Sequence, residues 1–456
     1  MTAAGLVADD GELFDLLVGG PVGVADVELT EGLATLRRTV GPPCSGRTLF
    51  VLARLHSQPI GCLALADDTE DPELDWTVAT RTALAGSIDR HLLADGLDPA
   101  SLDLWAGGAG LDDPPCLEER RRTLAAAKPV TVIIATRNRS EQLDACLDTV
   151  LALDYPTYDI VVVDNDPSTS DTADLVAARG AATGRIRYLR ENRRGLGAAH
   201  NCGLAAASGS IVAFTDDDVA VDRHWLSELA APFVAEPGVA GATGLIMPAE
   251  LETPAQLMLE VLARYGKGFE ARLYDLGPNR PDDVLFPFAA GKLGSGANMA
   301  FDTAWLRGIG GFDAATGVGT PARGGDDLLA LFQVVTSGRT LAYRPGALIR
   351  HYHHRDPAAV QRQVYGYAVG LGAYLTSAVV HEPRTLFSMI RRAPAGLVYY
   401  SGRSGRSGRS GRSGIRPDWS PRRLTRLERR GLLYGPLAYG ISRARGRRPE
   451  APWPAP

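Results

Sequence analysis

Between residues 130 and 215 the runs Val130–Ala135, Ile160–Val163, Ile186–Leu189 and Ile211–Thr215 alternate with helix-type segments, and no other feature restricts the fold of this chain as much. The first, second and fourth runs are uncharged and rich in β-branched residues, which suits strands covered on both faces. Strand and helix in alternation call for right-handed crossovers and a parallel sheet. Ser140 is placed to cap the first helix, whose apolar positions Leu143, Cys146, Leu147, Val150 and Leu151 fall at i, i+3, i+4, i+7 and i+8. Ser168–Arg179 and the small-residue stretch Gly197–Ala207 supply the next two helices.

Such sheets bind ligands at the carboxyl ends of their strands. There the chain carries Thr136-Arg137-Asn138-Arg139, Asp164-Asn165, Glu191-Asn192-Arg193-Arg194 and Asp216-Asp217-Asp218. Three adjacent carboxylates raise one another's pKa, and a bound divalent cation relieves the repulsion. Hard oxygen ligands in small number suit Mg2+ or Mn2+ shared with substrate phosphates. The triplet alone reads equally well as a solvated acidic turn, but four successive strands delivering polar groups to one edge favour a site. Gly195-Leu196-Gly197 begins like a dinucleotide fingerprint; the third glycine falls at His200 and the segment follows the third strand, so that context is absent.

Taken together, Thr131–Arg139, Val161–Asn165, Asn192–Gly203 and Phe214–Asp218 resemble family 2 glycosyltransferases of the GT-A fold, over roughly residues 128–355. The resemblance implies an α/β catalytic domain with a mostly parallel sheet and inverting transfer from a nucleoside diphosphate sugar. UDP is the default nucleotide, with dTDP and GDP open, and the cofactor is Mn2+ or Mg2+. By position, Thr136, Arg137 and Asp164 contact base and ribose, and Arg139, Asn192, Gly197 and Asn201 belong to the same substrate edge. Asp216 faces the ribose or sugar with Asp217 beside it, while Asp218 ligates the metal. In the glycine-rich segment Gly291–Asn298, Gly296 admits the sugar closely and the Asn298 amide meets its hydroxyls.

The segment Gly324–Leu329 matches the family's "Glu-Asp" element, with Asp326 standing where glutamate is usual and Asp327 as catalytic base. A carboxylate must take the proton of the acceptor hydroxyl as its oxygen attacks the anomeric carbon. Both aspartates also suit a helix first turn, which is the alternative reading. His351 falls where the family places a histidine near the metal; His353 and His354 are weaker candidates for phosphate or acceptor contacts. Thr316–Arg323 is a candidate closing loop.

At 456 residues two or three units are expected. Residues 1–120 read as a small accessory α+β domain. Thr48–Leu55 and Ile60–Leu65 form its hairpin, and an acidic loop at 67–75 precedes a helix from Val78 to Leu93. His56 and His91 read as surface or packing residues, and the unit is assigned no chemistry. Five cysteines without a CxxC pair argue for a reducing compartment and against a disulfide framework or zinc site. The acidic Met1–Asp10 lacks the pattern of a secretion signal, so a cytoplasmic protein is expected, and the scarcity of lysine (Lys128, Lys267 and Lys292 alone) beside arginine points to G+C-rich codon usage and a bacterium.

Residues 356–400 read as helical and 401–456 as a basic, low-complexity linker and tail. From Thr385 onward 16 arginines face three carboxylates, a surplus of 13 that leaves −18 on residues 1–384. Val364–Val380 is uncharged yet too short to span a bilayer, which leaves a surface-lying helix or packing against the catalytic domain. Four Ser-Gly-Arg repeats follow, then Arg422, Arg423, Arg426, Arg429 and Arg430 on a short helix to Leu433. An anionic membrane surface is the partner these suggest, ahead of nucleic acid, which is not expected. The resulting reading is a glycosyltransferase acting on a saccharide or lipid-linked acceptor in cell-surface or secreted glycan synthesis. Its rivals are a metal-dependent nucleotidyltransferase and a catalytically silent sugar-nucleotide-binding scaffold at the membrane.

Overall fold

A computed structural model describes residues 21–30, 37–40, 48–66, 76–99, 114–263, 265–406 and 421–446. The acidic loop 67–75, the Ser-Gly-Arg repeats beyond 406 and the arginines after 446 lie outside these residues. Strands β1 (Gly23–Glu28), β2 (Arg37–Val40), β3 (Thr48–Leu55) and β4 (Gln58–Ala66) form a sheet in the order β2-β1-β3-β4. Leu84, Ile88 and Leu92 of helix α1 (Trp76–Ala94) pack on one face of it. Helix α2 (Pro115–Ala125) leads into the larger sheet.

That sheet begins with β5 (Val130–Thr136), α3 (Ser140–Leu151), β6 (Tyr158–Asn165), α4 (Asp171–Thr183), β7 (Ile186–Glu191), α5 (Leu196–Ala206) and β8 (Ile211–Asp216). Strands β8-β5-β6-β7 are parallel throughout, as the strand–helix alternation demands. Side-chain alternation splits the core. Val132 and Ile134 meet Leu143 and Leu147 of α3 on one face, and Ile133 and Val163 meet Ala199 and Leu204 of α5 on the other. Helix α5 lies so close that a Cβ on Gly203 would sit 2.5 Å from Ile133 Cγ2, which explains its small residues. Ser140 does not cap α3: Arg139 holds the N-cap position and makes no side-chain cap bond, since a guanidinium has no acceptor to offer the free N–H groups.

Beyond β8 come β9 (Val219–Val221), α6 (Trp225–Ala235), β10 (Val239–Pro248), α7 (Pro254–Ala263), β11 (Arg272–Tyr274), β12 (Asn298–Asp302), α8 (Thr303–Gly308), α9 (Asp326–Thr336) and β13 (Thr340–His351). Here pairing is mixed: β12 runs antiparallel between β8 and β10, β10 and β13 are parallel, and β9 and β11 are antiparallel to β13.

The second face of the small sheet is not solvated. Val22, Val24, Phe50 and Leu52 pack against Leu245, Met247 and Leu348 of β10 and β13, so the two sheets share a core. Charge pairs reinforce the seam. Arg54 meets Asp222 at 2.8 Å and Asp26 at 3.4 Å, and Asp26 also pairs with Arg350 of β13. Glu228 of α6 is buried and receives Gln58 at 2.7 Å, Arg120 at 3.1 Å and Arg344 at 3.1 Å.

Helix α10 (Pro357–His381) starts at Asp356, whose carboxylate accepts from the N–H groups of Ala358 and Ala359. Of the two readings left open for it, packing describes its inner face: Val364, Val369 and Tyr374 are buried. It crosses α12 (Pro421–Arg445) at glycines, where a Cβ on Gly372 would lie 2.5 Å from the Leu432 carbonyl. The basic helix expected to stop near Leu433 thus continues to Arg445. Between them lies α11 (Thr385–Arg406). No helix among the described residues is long and apolar enough to cross a membrane.

Candidate active site

Parallel register sets Thr136 beside Asp164 and Ala135 beside Asp216, which brings the ends of β5, β6 and β8 to one edge. Strand β9 then turns back to pair with the end of β13, with Val219 opposite His351. That return delivers His351 Nε2 to 3.3 Å from Asp218 Oδ1. One ligand atom each from Asp216, Asp218 and His351 lies within 4.8 Å of the others. Two carboxylates and an imidazole fit a divalent cation that keeps positions open for phosphate oxygens.

The electrostatics divide the three aspartates. Burial, then the charge of Asp218, raises the Asp216 carboxyl to about 6. Burial raises Asp217 to about 7 against the pull of Arg139. Asp218 is half-buried, yet its hydrogen bond to His351 and the charges of His351 and Arg139 carry it below the ordinary carboxylate range. Arg139 bridges Asp217 and Asp218 at 2.7 Å each.

Behind His351 stands a relay that the sequence reading missed. His351 Nδ1 lies 3.0 Å from His353 Nδ1, and His353 Nε2 lies 2.8 Å from Glu260 Oε2. Were Nε2 of His351 to hold a cation, Nδ1 would donate, His353 would accept, and its Nε2–H would pass to Glu260, so that one tautomer would satisfy every contact. Tyr265 stacks on His353 at 5.4 Å between ring centroids. His353 is therefore a support for His351 and makes no phosphate or acceptor contact; its side chain is buried. The cue was the two-residue spacing of His351 and His353, which places both on one face of an extended strand end.

Several expected substrate residues turn out to be occupied internally. Asn298 gives its amide to the carbonyls of Leu245 and Ala347 at 3.0 and 2.7 Å and accepts from Trp225 Nε1 at 2.9 Å, leaving nothing for a sugar. Asn201 exchanges two hydrogen bonds of 2.8 Å with the backbone of Phe312. Asp217 accepts from Thr136 Oγ1 at 2.7 Å and from Arg139, so Thr136 and Asp217 brace one another. At Gly197 a Cβ would lie 3.0 Å from the Asp313 carbonyl, and the missing side chain serves chain packing. Asp326 is buried with Oδ2 3.4 Å from His200 Nδ1, turned inward where a substrate contact was expected. Asn192 is exposed and accepts from Arg190 Nε at 2.8 Å, and Arg137 pairs with Asp166 at 3.2 Å.

Asp164 keeps an opening. Tyr188 donates to its Oδ2 at 3.0 Å, while the buried Oδ1 has no hydrogen-bond partner among the described residues. Burial raises its pKa, and the Tyr188 bond offsets part of the shift. A buried acceptor with a vacant lone pair is a place for a ligand N–H or O–H. Asn165 was not among the expected contacts; its Oδ1 accepts from Gly195 N–H at 2.9 Å and its amide donates to the Arg193 carbonyl at 2.7 Å, which holds the turn before α5. The segment 316–323 rests on that turn, with Leu196 N–H donating to the Val318 carbonyl at 2.9 Å.

Asp327 lies in the first turn of α9, after Gly325 at φ 94°. Gly296 N–H donates to its Oδ2 at 2.9 Å, and a Cβ on Gly296 would sit 3.1 Å from Asp327 Cβ. Gly296 thus positions a carboxylate. Burial, then the charge of Asp326, lifts Asp327 to about 6, and Asp216 adds to the rise, so the carboxyl sits in the field of the acidic cluster. Tyr367 of α10 feels both Asp216 and Asp327, and its hydroxyl meets those of Tyr265 and the Gln363 amide at the partly exposed mouth.

The sequence model described as "Glycosyl transferase family 2" matches residues 131–291. Among curated proteins, a pre-mycofactocin glycosyltransferase of Mycobacterium tuberculosis is 29% identical over 315 residues, 67% of this chain and 60% of that one. The glycosyltransferase GlyA of Streptococcus pneumoniae is 34% identical over 100 residues, 22% of this chain and 14% of its own length. The chain therefore spans about 60% of the first of these relatives. Among solved structures, a mannosyltransferase from Pyrobaculum calidifontis in complex with GDP-Man and Mn2+ aligns with TM-score 0.43 at 18% identity, covering 73% of this chain and 95% of that one. Glucosyl-3-phosphoglycerate synthase from Mycobacterium tuberculosis aligns with TM-score 0.39 at 16% identity, over 58% and 81%. The segment that forms β5 to β8 and the acidic edge is thus the one that matches the glycosyl transferase family 2 model.

Proposed function

We propose that residues 128–355 form an inverting glycosyltransferase module that moves a sugar from a nucleoside diphosphate sugar to a saccharide or lipid-linked acceptor, in the synthesis of a cell-surface or secreted glycan. The observation that carries this reading is the convergence of Asp216, Asp218 and His351 with a carboxyl at Asp327 that senses Asp216. Asp216, Asp218 and His351 would hold the cation, Mn2+ or Mg2+, whose charge offsets that of the departing diphosphate. Asp164 Oδ1 accepts from the donor's base or ribose. Asp327 takes the proton of the acceptor hydroxyl as that oxygen bonds to the anomeric carbon and the bond from carbon to diphosphate breaks. Gly296 N–H keeps the Asp327 carboxylate aimed through both halves of that step. A cytoplasmic enzyme with peripheral contact to the inner face of the membrane accords with Leu386, Phe387 and Ile390, exposed on α11 beside Arg391 and Arg392.

The test begins with a thermal-shift panel of UDP, dTDP and GDP sugars with and without Mn2+, then measures turnover with the stabilising donor. Transfer by the parent chain that disappears in Asp327→Asn while donor binding persists supports the proposal. Sugar-nucleotide formation from a sugar phosphate, indifferent to Asp327, would establish a nucleotidyltransferase, and binding without any transfer a scaffold. Sedimentation with vesicles rich in phosphatidylglycerol tests the membrane contact.

A further inference from the structure

Separately from the acidic edge, a second group of potential ligands meets within the N-terminal unit: His56, His91, Asp95 and Cys116, with one ligand atom each within 4.8 Å of the rest. His56 Nδ1 lies 3.1 Å from His91 Nε2 and 3.3 Å from Asp95 Oδ2, and His91 Nε2 lies 3.4 Å from that same oxygen. Cys116 Sγ completes the figure at 3.5 Å from His56 Nδ1 and 3.8 Å from His91 Nε2. A tetrahedron with zinc–nitrogen and zinc–oxygen bonds of about 2.0–2.1 Å and a zinc–sulfur bond of about 2.3 Å has edges of about 3.3 Å between N or O atoms and about 3.6 Å to sulfur. The separations in the protein follow those edges. Three different pieces of chain produce them. His56 sits in the β3–β4 turn at φ 55°, with its side chain turned inward and 3% exposed. His91 and Asp95 are one helical turn apart at the end of α1, and Cys116 opens α2. Asp95 is itself oriented from behind, since its Oδ1 accepts from Cys116 N–H at 3.1 Å and Oδ2 is thereby aimed at the imidazoles.

We propose that His56, His91, Asp95 and Cys116 form a closed, four-ligand zinc site that joins the β3–β4 hairpin, α1 and α2. Four protein ligands leave no open position, which marks a structural ion. A thiolate with two imidazoles selects Zn2+ over Mn2+ or Mg2+, the reverse of the oxygen-rich edge at Asp216 and Asp218. Binding exchanges the Cys116 thiol proton, released to solvent, for the metal bond. The stapled helix α2 carries Arg120 to Glu228, so the ion would stiffen the seam between the two sheets. The absence of CxxC spacing had argued against zinc. Here the successive ligands are 35, 4 and 21 positions apart along the chain, a pattern that only the fold assembles.

The full chain, purified without chelator and dialysed against metal-free buffer, should retain one zinc per molecule. After chelation, Co2+ should restore tetrahedral d–d bands together with a thiolate-to-cobalt charge-transfer band. In Cys116→Ser the charge-transfer band should vanish and Zn2+ affinity, by competition with a chromophoric chelator, fall by about 100-fold or more. Asp218→Asn should leave both bands unchanged, which separates this ion from any at the acidic edge. Parent protein that keeps no zinc and shows no charge-transfer band overturns the site, and this holds whether or not the serine variant folds. A charge-transfer band that persists in Cys116→Ser overturns it equally.

Discussion

Replacing Asp327 by asparagine should stabilise the protein and abolish its chemistry together. The carboxyl is half-buried beside Asp326 and raised from an ordinary 3.8 to about 6. A folded state that holds its proton more tightly than the unfolded chain loses stability as pH climbs between those two values. Linkage puts the penalty at about 1 kcal/mol near pH 4.5 and about 3 kcal/mol at pH 8, where Asp327 is ionised in both states. Asparagine carries no charge and its carbonyl can still accept from Gly296 N–H, so the penalty is lifted without loss of that bond. Urea unfolding of parent and Asp327→Asn at pH 4.5 and pH 8 reads the difference directly, with a larger gain for the variant at the higher pH. A variant no more stable than the parent at pH 8, or a gain that does not grow with pH, would refute the argument.

Asp218→Asn should lower metal-dependent turnover by about 100-fold or more with the fold retained, as circular dichroism and a metal titration would show. Glu260→Gln weakens the far end of the His353 relay, so Mn2+ affinity should drop by about 10- to 100-fold while kcat at saturating metal changes less. The kcat profile of the parent should rise with pH through about 6 as Asp327 ionises, and a profile that is flat there would refute the assignment. Glu228→Gln strands Arg120 and Arg344 at a buried seam and should cost about 3–5 kcal/mol of unfolding free energy in chemical denaturation.

The parallel half of the large sheet was legible because short, mostly β-branched apolar runs alternate there with helix-type segments. The polar residues closing those runs marked the edge where Asp216, Asp218 and Asp164 stand. Legibility failed for the asparagines: Asn298 and Asn201 look like ligand contacts in a glycine-rich context, yet partners more than 40 positions away use up their hydrogen bonds. A sequence shows that a side chain can bond and is silent on whether the fold has already bonded it. Strand β12 was also hidden, since Asn298–Asp302 is short and its antiparallel place between β8 and β10 depends on elements far along the chain. Local periodicity likewise gave no hint that α10 would bring Tyr367 to the mouth, because its glycines report close approach without naming the neighbour.

The pairing of Asp26 with Arg350 sets an N-terminal strand against the residue directly before His351. Modular exchange in this chain is thereby restricted: a graft or truncation that starts at β5 would sever the hairpin sheet and unmoor a histidine that lies far along the polypeptide. Whatever recombination has shuffled such pieces, the opening sheet and the closing strand must travel as a pair.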